Sequence, residues 1–203
     1  MIRECVDADF EAIYEIINDA AQAYRGIIPP DRWHEPYMPR EDLREEISAG
    51  GAFLGYEQDG ELAGVMGTQD IQDVTLIRHA YVRTALRSRG IGAALLAGIM
   101  DAATRPVLIG TWADAVWAER FYERHGFKVV SPQQKEVLLR KYWTVPDRQI
   151  ETSVVLAPLR MLTMTSWISR TSELWTFCSS HCATVMESSS PTCAEAHGAA
   201  QPR

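Results

Sequence analysis

Tyr81-Val82-Arg83-Thr84-Ala85-Leu86-Arg87-Ser88-Arg89-Gly90-Ile91-Gly92 is the stretch whose reading decides the fold. A β-branched and aromatic run ends here, three arginines and two glycines follow at close spacing, and Ala93-Ala94-Leu95-Leu96 opens a helix-forming segment. A strand, a glycine-bearing turn and a helix N-terminus together make an anion site. Backbone N–H groups point at the ligand, and the helix dipole favours negative charge there. Gly90 and Gly92 let the backbone approach closely, so the amides of Arg87, Ser88, Arg89, Gly90, Ile91, Gly92 and Ala93 can donate to a pyrophosphate. The Arg87 and Arg89 side chains can add charge-assisted bonds. No Gly-Lys-Ser/Thr follows, so this is not a Walker loop, and the strand before it belongs to a hairpin series rather than to the opening of a Rossmann unit.

Upstream, Ile2 to Val6 reads as a short strand. Asp7 is the expected N-cap of a helix whose apolar stripe is Phe10, Ile13, Ile17, Ala20 and Tyr24. Gly26 and Pro29-Pro30 end it. The Pro- and aromatic-rich loop 26–38 either packs over its own aromatics or shapes a pocket, and a short acidic helix then begins at Pro39. Gly50-Gly51 breaks that helix, and two strands joined through Asp59-Gly60 form a hairpin. A third strand spans Val74 to Val82. Downstream, a helix is expected over 91–103, a buried strand at Val107-Leu108-Ile109 and a helix over 114–124 closed by Gly126. A strand at 127–130, a helix from Pro132 to Trp143 and a last strand from Ile150 to Leu156 complete the pattern.

The chain has 203 residues and a net charge of −7. Residues 1–157 carry 17 Lys/Arg against 24 Asp/Glu, so the acidic excess lies there. An acidic body argues against nucleic acid or an anionic membrane as partner, and it makes the cluster Arg83, Arg87, Arg89 a local exception. No stretch approaches the roughly 20 apolar residues of a membrane span, and the N-terminus lacks the layout of a signal peptide. A cytoplasmic location is expected. Residues 158–203 hold 14 Ser/Thr and three of the four cysteines, without sustained periodicity. We expect a domain over 1–157 and a disordered, low-complexity extension over 158–203. Cys178, His181, Cys182, Cys193 and His197 there lack a zinc-finger spacing, so no metal is expected.

Two motifs now combine. Val82-x4-Arg87-x2-Gly90-x-Gly92 resembles the acyl-CoA signature of the GNAT N-acetyltransferase superfamily, and Ala118-x2-Phe121-Tyr122-x3-Gly126-Phe127 resembles that family's second hallmark, in the expected order. The resemblance spans residues 1–157. It implies an α/β (α+β) fold, a mixed and mostly antiparallel central sheet flanked by helices. It also implies acetyl-CoA as acyl donor, with Val82 and residues Arg87, Ser88, Arg89, Gly90, Ile91, Gly92 and Ala93 as its binding set. Tyr122 stands where the family's tyrosine protonates the leaving thiolate, and a phenol is suited to that task because it stays protonated at neutral pH. Where family members often carry Asn, this chain has Ala115, with Asp114 expected to cap the helix instead.

His79 is the candidate base, with Asp70 and Asp73 at the preceding turn as alternatives. Strand alternation groups His79 with Tyr81 and leaves open which face meets substrate. Tyr24, Trp33 and His34, with Tyr37, are the candidate acceptor-binding residues. The expected reaction is acetyl transfer to a primary amine, on a small molecule or peptide, by direct attack in a ternary complex; a homodimer is compatible with this. The competing expectations are an acyl-CoA sensor without turnover and a general phosphate-binding module.

Overall fold

The first strand, β1 (Ile2–Glu4), lies antiparallel to β2 (Gly51–Gln58), and β2 continues antiparallel into β3 (Glu61–Ile71) and β4 (Val74–Val82). The computed structural model describes residues 1–159. Beyond β4 come β5 (Val107–Trp112), β6 (Phe127–Val129) and β7 (Ser153–Pro158). They complete one seven-stranded sheet in the order β1-β2-β3-β4-β5-β7-β6. Only the β4–β5 pairing is parallel. The hairpin turn predicted at Asp59-Gly60 is present, with both residues at positive φ (55° and 83°).

Helices cover both faces. On one side lie α1 (Phe10–Ala21) and α2 (Arg40–Ser48), whose Ile13, Ile16, Ile17 and Leu43 pack with Val65 and Tyr81 of the sheet. On the other lie α3 (Ile91–Ala102) and α4 (Val116–Arg124), whose Leu95, Leu96, Ile99 and Tyr122 pack with Met66, Ile77, Ile109 and Phe127. Each such buried aliphatic side chain is worth ~1.5–3 kcal/mol of transfer free energy, so the two layers clamp the sheet from both sides. Then α5 (Pro132–Tyr142) opens on Ser131, whose Oγ accepts from the Gln134 N–H at 3.3 Å while the Gln134 side chain accepts from the Ser131 N–H at 3.1 Å.

Four local expectations are corrected. Asp7 caps nothing: residues Asp7–Asp9 form a 3₁₀ turn, and it is the Asp9 carboxylate that accepts from the Val6 N–H and from Arg3 at 2.7 and 2.9 Å. Asp114 does not cap α4, which starts at Val116 with Ala115 at the cap. Residues 147–152 are a short helix, α6 (Asp147–Thr152), with Pro146 at its cap and Ile150 buried. The last strand therefore runs later than expected, over Ser153–Pro158. Its end is tied down, because Pro158 pairs with Phe127 and the Leu159 N–H donates to the Gly126 carbonyl. The expectations for the tail, including its cysteines, lie outside the described residues. Among the described residues no helix is long and apolar enough to cross a membrane, and no group of three His, Cys, Asp or Glu could hold a metal ion.

One irregularity positions everything that follows. Gly67 of β3 stands opposite His79 while Thr68 stands opposite Ile77, which leaves Arg78 as the extra residue of a β-bulge on β4. A bulge shifts the two-residue alternation by one. Before it, Ile77 faces the α3 layer; after it, Ala80 and Val82 face that layer, and His79 and Tyr81 face the α1–α2 layer. The last parallel pair between β4 and β5 is Ile77 with Ile109, so the two strands part where the bulge begins.

Candidate active site

Two cavities lie where β4 and β5 part, and they share part of their walls. The first, of about 520 Å³, is walled by the end of β4, by Arg87, Ser88, Gly90, Ile91, Gly92 and Ala93, and by Trp117, Phe121 and Tyr122 of α4. The second, of about 350 Å³, is walled by Ile77–Tyr81, by Ile109–Trp112 and by Arg32, His34 and Tyr37 of the loop, with Glu46 of α2 and Trp143 behind. Tyr24, Ala80, Tyr81 and Tyr122 belong to both walls. The two cavities therefore adjoin at these four residues.

The turn before α3 has the backbone conformation that its glycines allow. Gly90 stands at the helix cap with φ 81°, a left-handed conformation that favours glycine, and Ser88 has φ 62°. These turns aim the free N–H groups of the first helical turn outward. The arginines have protein partners of their own or lie exposed. The Arg87 guanidinium donates to the Ala20 carbonyl at 2.9 Å, so it ties the turn to the end of α1. Arg83 donates to the Leu62 carbonyl at 2.8 Å. Arg89 is exposed and does not reach the cavity wall. Of the three arginines only Arg87 lines the first cavity. Along β4, the Arg83 N–H donates to Ala63 of β3; because successive amides alternate, the Val82 N–H faces the parting between the strands.

His79 sits at the second cavity with its side chain only 8% exposed. Its ring stacks on Phe53 at 5.6 Å, and Gly67 leaves the room: a Cβ there would stand 2.7 Å from the Phe53 ring and 3.2 Å from His79 Cδ2. Nε2 lies 2.5 Å from a Glu46 carboxylate oxygen. Burial alone would raise the Glu46 pKa, yet the hydrogen bond and charge of His79, with Arg78 nearby, hold it below its ordinary value. Glu46 is therefore a carboxylate at neutral pH and accepts from His79 Nε2. Nδ1 is buried and has no hydrogen-bond partner among the described residues.

The tyrosines form a protonated cluster. Burial raises Tyr122 well above its ordinary value, with Tyr24 adding to the effect. Burial also raises Tyr81 strongly and pushes Tyr24 up to about 12. Tyr24 bridges the halves of the cleft, with its ring 5.3 Å from Trp117 and 6.4 Å from Tyr81. His34 reaches the cavity wall; Trp33 does not, and instead stacks on Tyr37 at 5.6 Å and backs it. Asp70 and Asp73 are remote from either wall: Asp70 accepts from Thr75, and Asp73 from Tyr142. Glu46, Arg32 and Trp143 went unnoticed in the sequence. An acidic face on a short helix carries no signal of which carboxylate turns inward, and pairing Glu46 with His79 spans 33 residues.

The model of the acetyltransferase (GNAT) domain family matches residues 14–140. Among solved structures, the chain is similar to the PaiA N-acetyltransferase of Thermoplasma acidophilum in complex with coenzyme A, at 20% identity, TM-score 0.59, over 78% of this chain and 97% of that one. It is similar to the ribosomal-protein-S18-alanine N-acetyltransferase of Escherichia coli at 18% identity, TM-score 0.55, over 78% and 93%. A GNAT acetyltransferase of Elizabethkingia anophelis with acetyl-CoA bound matches at 16% identity, TM-score 0.53, over 77% and 95%. No curated protein matches the sequence significantly. At these identities the solved structures speak for the fold, and the domain model, which covers more than half of the chain, settles the family: the chain belongs to the GNAT acetyltransferases.

Proposed function

We propose that the protein transfers the acetyl group of acetyl-CoA to a primary amine by direct attack, with the donor in the cavity at the α3 turn and the amine in the cavity at His79. The observation that carries this reading is the wall shared by the two cavities, Tyr24, Ala80, Tyr81 and Tyr122, beside the point where the strands part. The amides at the head of α3 suit the pyrophosphate, and the apolar wall of Val82, Phe121 and Trp117 suits the pantetheine arm.

The amine reaches its nucleophilic form by giving a proton to the His79–Glu46 pair, and Glu46 holds the ring and balances its charge. Its lone pair attacks the thioester carbonyl, and the Val82 N–H polarises the oxygen as negative charge develops there. The C–S bond breaks, its electron pair leaves on sulfur, and Tyr122 gives the thiolate a proton as the amide forms. Burial raises the phenol, and the same burial raises a thiol placed beside it, so donor and acceptor stay matched in a common environment.

Thioester consumption with a panel of amines tests the reading, together with Tyr122→Phe. Phe keeps the ring that packs on Phe121 and Phe127 at 5.0 and 6.0 Å. We expect turnover to fall ~10²-fold, the lower range for loss of a positioned acid, with CoA affinity kept within about twofold. Full activity across pH would remove Tyr122 from the mechanism. CoA binding without turnover of any amine would favour a sensor.

A further inference from the structure

The first cavity differs in charge from its neighbours. Among the described residues no Asp or Glu lines it, although residues 1–157 carry 24. The second cavity has Asp42 and Glu46 in its wall, and a third, beside β1, has Glu4 and Asp7. The first instead carries Arg87, Arg124 and His125. On an acidic chain that concentration of cations suits an anionic ligand. Arg87 is engaged with the Ala20 carbonyl, which leaves Arg124 and His125, adjacent at the end of α4, as cations that no step of the reaction uses.

Both are exposed, and His125 is nonetheless held in place. Its Nδ1 lies 2.7 Å from the Phe121 carbonyl, and its ring lies 4.6 Å from the Phe121 ring. A carbonyl only accepts, so Nδ1 donates and Nε2 is the nitrogen available to a ligand. The residue stands at the C-cap of α4, where the helix dipole favours a cation. Beside Arg124, the Glu123 carboxylate is taken by Lys128 at 3.7 Å. Phe121 also ties this end of α4 to the head of α3, because a Cβ on Gly92 would meet its ring at 3.5 Å. One aromatic ring therefore separates the α3 amides from His125. In CoA, one ribose separates the 5′ pyrophosphate from the 3′ phosphomonoester, which is close to a dianion at neutral pH. We infer that Arg124 and His125 form a second anion subsite of the first cavity, which receives the 3′-phosphate of CoA while the α3 amides receive the pyrophosphate. This rests on the reading of the first cavity as the donor site, and it makes the pair the residues that select CoA over its 3′-dephospho form. The guanidinium and the imidazole N–H each supply a donor to the phosphate oxygens.

Calorimetric titration of the full chain with CoA and with 3′-dephospho-CoA tests it. The parent is expected to bind CoA about tenfold tighter, the gain from two exposed and partly screened ion pairs, and the preference narrows as salt is raised. In Arg124→Gln or His125→Gln the preference falls about threefold, and in the double variant to near one, with affinity for 3′-dephospho-CoA kept within about twofold. Arg120, one turn earlier on α4 and outside the cavity wall, is the control for general charge, and Arg120→Gln is expected to keep the preference. Equal binding of the two ligands by the parent, a preference that survives in the double variant, or an equal loss in Arg120→Gln overturns the subsite and leaves the donor reading standing. A double variant that loses affinity for both ligands alike also overturns it. Binding of neither ligand by the parent overturns the donor reading and the subsite with it.

Discussion

The two glycines of the α3 turn separate anion binding from folding, because alanine acts on them with opposite signs. Gly92 lies in the first turn of α3 at ordinary helical φ, and a Cβ there would meet Phe121 at 3.5 and 3.7 Å and Val82 at 3.9 Å, all ordinary contacts. Gly92→Ala therefore carries no strain, and removing glycine from a helix is expected to stabilise by ~0.5 kcal/mol. For a chain of this size that raises Tm by about 1–2 °C. The same methyl lies between Val82 and Phe121, which wall the first cavity, and narrows the approach of a pyrophosphate to the amides. Loss or lengthening of one charge-assisted bond costs ~1.5–3 kcal/mol, or about ten- to a hundredfold in CoA affinity. At Gly90 the Cβ would meet nothing within 4 Å, but the residue sits at φ 81°. Gly90→Ala thus costs ~1–2 kcal/mol of folding free energy, and Tm falls by about 2–8 °C. Thermal melts and CoA titrations of both variants read the two effects apart. A Gly92→Ala protein that melts higher and binds CoA as tightly as the parent would refute the placement of the pyrophosphate at this turn.

Two further outcomes follow from the geometry. Glu46→Gln removes the carboxylate that holds His79, and turnover is expected to fall at least about tenfold with CoA affinity kept. Because the folded-state pKa of Glu46 is depressed, its contribution to stability is complete above the ordinary carboxylate value of ~4.3 and is lost as pH falls through the folded value. The gap in Tm between parent and Glu46→Gln should therefore be widest at neutral pH and close on acidification; a gap that widens below pH ~4 would contradict the ion pair with His79 and Arg78. Truncation after Leu159 is expected to leave Tm and CoA affinity unaltered, the test of whether the domain ends there. Truncation after Ala157 removes the Pro158–Phe127 pairing and the Leu159 N–H bond to Gly126, and should lower Tm by several degrees.

What was legible in the sequence was whatever is local. The hairpin at Asp59-Gly60, the strand Val74–Val82 and the turn into α3 each announce themselves within a dozen residues, because turn chemistry and periodicity are short-range properties. The first cavity, proposed for the donor, draws much of its wall from one such stretch. The second, proposed for the acceptor, is assembled from α2, β4, β5 and the loop after α1, so the pairing of Glu46 with His79 has no local signature. The bulge at Arg78 is silent as well: Ile77-Arg78-His79 reads as ordinary alternation, and only pairing with β3 reveals the extra residue. Asp7 and Asp114 failed for a related reason. A side chain suited to capping is necessary for a cap, but competing partners decide which carboxylate is used, as Arg3 does at Asp9.

In the proposed reaction, the bulge lets a single event in the sheet serve both halves. Without the extra residue, Ile77, His79 and Tyr81 would share the α3 face, and His79 would sit in the core among Leu95, Leu96 and Ile109. The shift sends His79 and Tyr81 toward the α1–α2 layer and returns Ala80 and Val82 to the α3 layer. On the proposed reading, one strand presents His79 to the acceptor on one face and an apolar wall to the donor on the other. The parting from β5 begins at the same place, so no partner strand stands between them. Direct transfer needs this continuity; a covalent relay would need a thiolate at the junction. Cys5, the one cysteine among the described residues, lies on neither wall, and burial pushes its thiol up to about 11. Within the described residues the junction is occupied by tyrosines kept protonated by burial, groups suited to giving a proton to sulfur and unsuited to holding an acyl group.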